Sequence, residues 1–145
     1  MAEAAAPSAP AEGAAPSAPV DLEATTPWVR RWLRAEGLVA FIGGLAAWLA
    51  LGGPWPLFPI LLLAPDISMV GYLGGPHTGA ITYNVVHNWA TGGIVLGLGL
   101  LLGVPAVVLA GVILVAHTGI DRVLGYGLKY PTAFQDTHLG RIGRP

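Results

Sequence analysis

The chain has no cysteine. Disulfides, thiolate metal centres and thiol nucleophiles are therefore excluded, and any metal would need His, carboxylate or carbonyl ligands. Charge is scarce too. Charged residues make up 10% of the 145 positions, against about 25% in an ordinary soluble domain. No Asp, Glu, Lys or Arg lies between Glu36 and Asp66, and none between Asp66 and Asp121. Uncharged stretches of that length cannot present a wettable exterior and belong in lipid. A net charge of -1 lacks the basic field of a nucleic-acid binder, so the expected partner is the bilayer and not nucleic acid. A homo-oligomer or a larger membrane assembly stays open.

What is present is hydrophobic: 54% of residues, with a mean hydropathy of +0.64. The length suits one compact unit. Residues 1–27 repeat Ala-Pro-Ser-Ala-Pro from Ala6 and from Ala15. That composition cannot bury enough apolar surface to offset chain entropy, and it predicts a disordered tail. The stretch also lacks the basic n-region and apolar h-region of a secretory signal. Residues 28–145 are expected to form a four-span transmembrane domain ending in a short interfacial segment.

Trp28, Arg30, Arg31, Trp32 and Arg34 read as a membrane-surface collar ahead of a first span from Glu36 to Leu51. A second span is expected from Pro56 to Gly74, kinked where Pro65 frees the carbonyl of Leu61 beside Asp66. A third runs from Ala80 to Leu102, and a fourth from Pro105 to Arg122. The fold class is thus all-α, a four-helix transmembrane bundle. On the third span, the pairs Gly93/Gly97 and Gly99/Gly103 offer small residues four apart for close helix approach. The basic residues flank the first and last spans and avoid the three short connections. Four spans then put both termini on the cytoplasmic side, here of a bacterial inner membrane.

Ionisable residues inside a span are costly and face the bundle interior. The candidates are Glu36, Asp66, His87, His117 and Asp121, with Asn84, Asn88 and Arg122 as polar companions. From the helical rise, Asp66 and His87 each lie about 10 Å from the cytoplasmic surface, and His117 about 7 Å. Asp121 and Glu36 lie near that surface. Groups from four helices share one half of the membrane, which is the pattern of a single site. Asn84, His87, Asn88 and Thr91 stand at i, i+3, i+4 and i+7, one polar stripe on an apolar helix. His117 and Asp121 are i, i+4.

Three chemistries fit this cluster. Asp66, His87 and His117 could ligate zinc, iron or manganese, with Asp121 or Glu36 as a further ligand or general base for hydrolysis of a lipid or phosphoester. The same groups could order helix packing without a ligand, or relay protons. The tail residues Asp136 and His138 read as an exposed polar segment, and His77 as a solvated turn residue.

The segments Ala64-Pro65-Asp66 to Gly71-Tyr72, Tyr83-Asn84 with His87, His117-Thr118-Gly119-Ile120-Asp121-Arg122, Gly125-Tyr126-Gly127-Leu128-Lys129-Tyr130 and Thr137-His138-Leu139-Gly140 together resemble a family of small bacterial integral membrane proteins. It is catalogued as domain of unknown function 4260. The resemblance spans Trp32 to Gly143 and implies a four-helix membrane domain. Pro65-Asp66-Ile67 is also similar to part of the Leu-Pro-Asp-Ile-Asp segment of membrane-bound metal-dependent hydrolases, with Ser68 in place of the second Asp.

Overall fold

The computed structural model describes residues 22–143, with side chains from residue 27 onward. The tail expected over residues 1–27 therefore lies outside the described residues as far as residue 21, and helix α1 already begins at Leu22. It runs as Leu22–Ala50, taking up the aromatic collar that a short apolar run needs to cross a bilayer core of about 30 Å. Helix α2 (Leu57–Leu62) passes into a 3-10 helix, Ala64–Gly74. Helices α3 (Pro76–Val86) and α4 (Trp89–Leu102) follow, and α5 (Pro105–Leu124) closes the bundle. A two-residue antiparallel hairpin pairs Asp136–Thr137 with Gly140–Arg141.

Three of these units are long and apolar enough to span a membrane: Pro27–Ala50, Leu57–Gly74 and Pro105–Leu124. The α3–α4 pair, bent by 41°, passes the same test only when taken together, as a broken span or a re-entrant loop. The exterior supports the same reading. Leu73 is 90% exposed, Leu101 80% and Val39 72%, whereas the buried set includes His87, His117, Asp121 and Arg122. A surface richer in apolar side chains than the interior is stable in lipid and not in water.

Lipid tails are as apolar as leucine, so helices in a bilayer associate by close packing rather than by escape from water. Helix α5 is the central element. Gly37 and Gly44 of α1 meet Gly119 and Ala116 of α5 in antiparallel register, where a Cβ on Gly37 would lie 2.6 Å from the Gly119 carbonyl. On the other side, Gly92 and Gly99 of α4 seat against Val115 and Val108, and Gly111 of α5 against Leu96. The small-residue contact on α4 is thus Gly92/Gly99, two turns apart. Of the expected pairs, Gly93, Gly97 and Gly103 have open space where a Cβ would sit. Trp48, Phe58, Val112, Ile113 and Ala116 fill the core, and the Trp48 indole donates to the Pro54 carbonyl at 3.1 Å.

The expected continuous third helix is a correction. The helix breaks at His87–Asn88, and side chains take up the groups the break exposes. The Asn88 side chain accepts from the Thr91 amide at 2.8 Å and donates to the Asn84 and Val85 carbonyls at 2.7 and 2.9 Å. Thr91 Oγ1 donates to the Val85 carbonyl, and Arg122 Nη2 reaches the His87 carbonyl at 3.1 Å. Asn84, Asn88 and Thr91 are therefore not a stripe lining a cavity; Asn88 and Thr91 cap a helix break.

Candidate metal centre

Two backbone irregularities place the two histidines. After Pro65, the Asp66 amide bonds the Leu63 carbonyl at 3.2 Å, in the 3-10 pattern. An α-helix would have sent it to Leu62. The Leu62 carbonyl is free as a result, and His117 Nδ1 donates to it at 2.5 Å. The freed group used by the site is thus Leu62, one residue beyond the Leu61 carbonyl expected from proline alone. At the second irregularity, His87 ends α3, and its Nδ1 donates to the Tyr83 carbonyl at 2.9 Å.

A carbonyl can only accept, so each Nδ1 carries a ring proton; in the neutral ring Nε2 then presents a lone pair, and in the charged ring it donates. Both Nε2 atoms point at carboxylates. His87 Nε2 lies 3.4 Å from Asp66 Oδ1 and 3.9 Å from Asp121 Oδ2. His117 Nε2 lies 3.5 Å from Asp66 Oδ1 and 3.7 Å from Asp121 Oδ2. His117 Nε2 is buried and makes no hydrogen bond. The donor atoms of Asp66, His87 and His117 fall within 4.8 Å of one another. With both rings neutral, Asp66 Oδ1 and the two Nε2 atoms converge as acceptors, beside an Asp121 Oδ2 that takes its hydrogen from Tyr83, an arrangement that a cation would satisfy. Ligands about 2.0–2.1 Å from a tetrahedral zinc stand about 3.3–3.4 Å apart, which the two His–Asp66 pairs already meet, while the widest pair in the set would close by about 1.4 Å.

Surrounding contacts hold the ligands. The Tyr83 hydroxyl donates to Asp121 Oδ2 at 2.7 Å, and its ring stacks on His87 with centroids 3.7 Å apart. Arg122 Nη1 reaches the Tyr126 carbonyl at 2.6 Å while Nη2 caps the His87 carbonyl. Asn84 clamps the main chain of Lys129, donating to its carbonyl at 2.9 Å and accepting its amide at 2.7 Å.

His138 is exposed and Asp136 part-buried, as the segment's polarity suggested, but the C-terminal segment is not a free tail. It folds back against the 3-10 helix and α3. Lys129 and Thr137 are buried, Tyr72 packs edge-on against Phe134, and the Leu128 amide donates to His138 Nδ1 at 2.8 Å. Lys129 Nζ donates to the Phe134 carbonyl at 2.9 Å and sits 4.0 Å from the Phe134 ring centroid, with the Tyr83 and Tyr126 rings at 5.1 and 5.5 Å. Burial lowers this amine from its usual 10.5 to about 8, against an opposing pull from Asp121. Asp136 pairs with Arg141 at 2.7 Å.

Asp66, His87, His117 and Asp121 are thus brought together. Glu36 is not: its side chain is exposed, beside a shallow recess shared with Trp32, Ala35, Val39 and Ala40. Gly37, one residue on, is the position that faces α5, so Glu36 turns away from the cluster. Arg122 braces backbone rather than joining the ligands, and His77 is exposed at the start of α3. Sequence reasoning missed Tyr83 and Lys129 as members of the site. Tyr83 lies one turn before His87, a signal that could have been used; Lys129 carries no periodicity that points inward.

A cavity of about 380 Å³ opens beside the cluster, lined by Asp66, His117, Asp121, Lys129, the rings of Tyr83, Tyr126 and Phe134, and aliphatic side chains. A larger groove of about 570 Å³ between Trp48, α2 and α5 has no ionisable lining residue and stands apart from this chemistry.

Fold and site together define a small helical protein with three to four candidate membrane spans and a buried Asp/His/His cluster able to hold a metal. The profile of the domain of unknown function DUF4260 matches residues 30–142, and the chain belongs to that family. No curated protein and no solved structure matches it, so the partial hydrolase likeness at Pro65-Asp66-Ile67 gains no support.

Proposed function

We propose that this protein binds a divalent transition metal through Asp66, His87 and His117, with Asp121 as a fourth ligand or adjacent base, and uses it to hydrolyse a lipid or phosphoester. One observation carries the reading: the Nε2 atoms of both histidines converge on Asp66 Oδ1, at 3.4 and 3.5 Å, while each Nδ1 donates to a backbone carbonyl. Charging both imidazoles would also supply positive charge. The rings, however, lie 4.8 Å apart between centroids in an apolar interior, where two like charges repel strongly. A single divalent ion avoids that repulsion. Two neutral imidazoles with carboxylates suit zinc, iron or manganese. Such an ion would lower the pKa of a water towards neutrality. Asp66 is the most exposed ligand and borders the cavity, which leaves room for water and substrate on that side.

The basic residues at the two chain ends support an orientation with both termini in the cytoplasm, placing the cluster in the cytoplasmic half of a bacterial inner membrane. The test is hydrolysis of phospholipid vesicles and soluble phosphoesters by metal-loaded protein, compared with Asp66→Asn. Turnover in the parent that falls by at least about a hundredfold in the variant supports the reading. Equal rates, or turnover in neither despite full metal occupancy, exclude hydrolysis at this centre.

A further inference from the structure

The proposed hydrolytic centre leaves Lys129 without a role. It is 3% exposed and, among the described residues, has no carboxylate within ion-pair distance. A lysine is almost never this buried unless it is paired. Its ammonium has three donors, of which the Phe134 carbonyl takes one. Asn84 holds the backbone of this residue from both sides, so the position is built rather than incidental. The amine shares the cavity with Asp66, His117 and Asp121; aromatic rings of Tyr83, Tyr126 and Phe134 flank it, and the rest of the wall is aliphatic, with Leu62, Ile120 and Leu124 among it.

We infer that this cavity takes an amphiphile with a phosphate monoester head, held between the Lys129 ammonium and the metal, with its chain along the Leu62–Ile120–Leu124 wall. The inference rests on the metal reading for its charge balance. Asp66 and Asp121 bring two negative charges, and the buried Arg122 and Lys129 bring two positive ones. A divalent ion then leaves a net positive site for an anionic head. A lysine recognises phosphate as a point charge without the planar geometry that an arginine imposes. The cavity volume exceeds that of a phosphate alone, and its apolar wall offers nothing to a fully polar ligand.

The experiment is a binding titration of full-length protein in dodecyl maltoside, loaded with zinc and assayed for metal content in every sample. The probes are dodecyl phosphate, dodecanoate and inorganic phosphate. Dodecyl phosphate is expected to bind the parent at least about tenfold more tightly than it binds Lys129→Met at equal metal content. Lys129→Arg is expected to recover part of the loss. Ile120→Trp, which narrows the apolar wall and leaves the ammonium in place, is expected to weaken dodecyl phosphate and not inorganic phosphate. Equal binding by parent and Lys129→Met overturns the inference. Inorganic phosphate binding as tightly as dodecyl phosphate overturns the lipid assignment in favour of a soluble phosphate, and dodecanoate doing so overturns the phosphate assignment. Absence of metal with Lys129-dependent binding intact overturns the metal reading and supports the role given to Lys129.

Discussion

Replacing His117 by alanine distinguishes a cluster that binds metal from one that only orders helix packing. The variant removes one Nε2 donor, 3.5 Å from Asp66 and 3.7 Å from Asp121, and also leaves a cavity in the core of α5. Thermal stability alone is therefore uninformative, because either account predicts a loss. The informative quantity is the change in stability on adding metal. The His–Asp66 separations of 3.4 and 3.5 Å already match zinc geometry, and the histidine pair closes from a set spread over 4.8 Å. At free zinc a hundredfold above Kd, a ligand binding only the folded state stabilises it by about 2.7 kcal/mol, which for a chain of this size is on the order of 10 °C in Tm. The assay is intrinsic tryptophan fluorescence on heating, in detergent, with zinc buffered or removed by chelator. The parent should show the full shift and His117→Ala less than a quarter of it. A shift of the same size in both would refute the assignment of His117 as a ligand.

Other outcomes follow from the same structure. Gly99→Ala drives a Cβ into the Val108 backbone and should cost about 1–3 kcal/mol. Gly97→Ala, with open space around it, should be neutral or stabilising by up to about 1 kcal/mol; equal effects by thermal unfolding would contradict the packing described. The folded chain releases the Lys129 proton near pH 8, whereas the unfolded chain holds it to 10.5. The unfolded state thus binds more protons between those values, and stability should rise with pH across that window, by about 3 kcal/mol in total. Lys129→Met should remove that rise and be the more stable chain at pH 7; melting curves from pH 7 to 11 that retain the rise would contradict it. Asn88→Ala removes the cap of α4 and should lower stability by about 0.5–2 kcal/mol. Its metal content should stay unchanged, since Asn88 bonds only the break and not the ligands.

The four spans were legible because lipid imposes a coarse rule, long uncharged runs, which 145 residues satisfy visibly. The convergence of Asp66, His87, His117 and Asp121 was legible for a related reason, since a span fixes depth and depth brings distant residues to one level. Local geometry was not. A polar residue every third or fourth position fits both a helical face and a pair of caps. Only the hydrogen bonds of Asn88 and Thr91 show which applies. Glu36 had the right depth and the wrong azimuth, a distinction set by Gly37 packing on α5. The folded-back C-terminal segment was hidden because its contacts, Asn84 to Lys129 above all, span 45 residues and leave no periodic trace.

The central claim is best tested by elemental analysis of detergent-purified protein beside the His87→Ala, His117→Ala double variant. The account predicts close to one equivalent of zinc, iron or manganese in the parent and essentially none in the variant. No metal in the parent after reconstitution with each ion, or equal metal in both proteins, would contradict it.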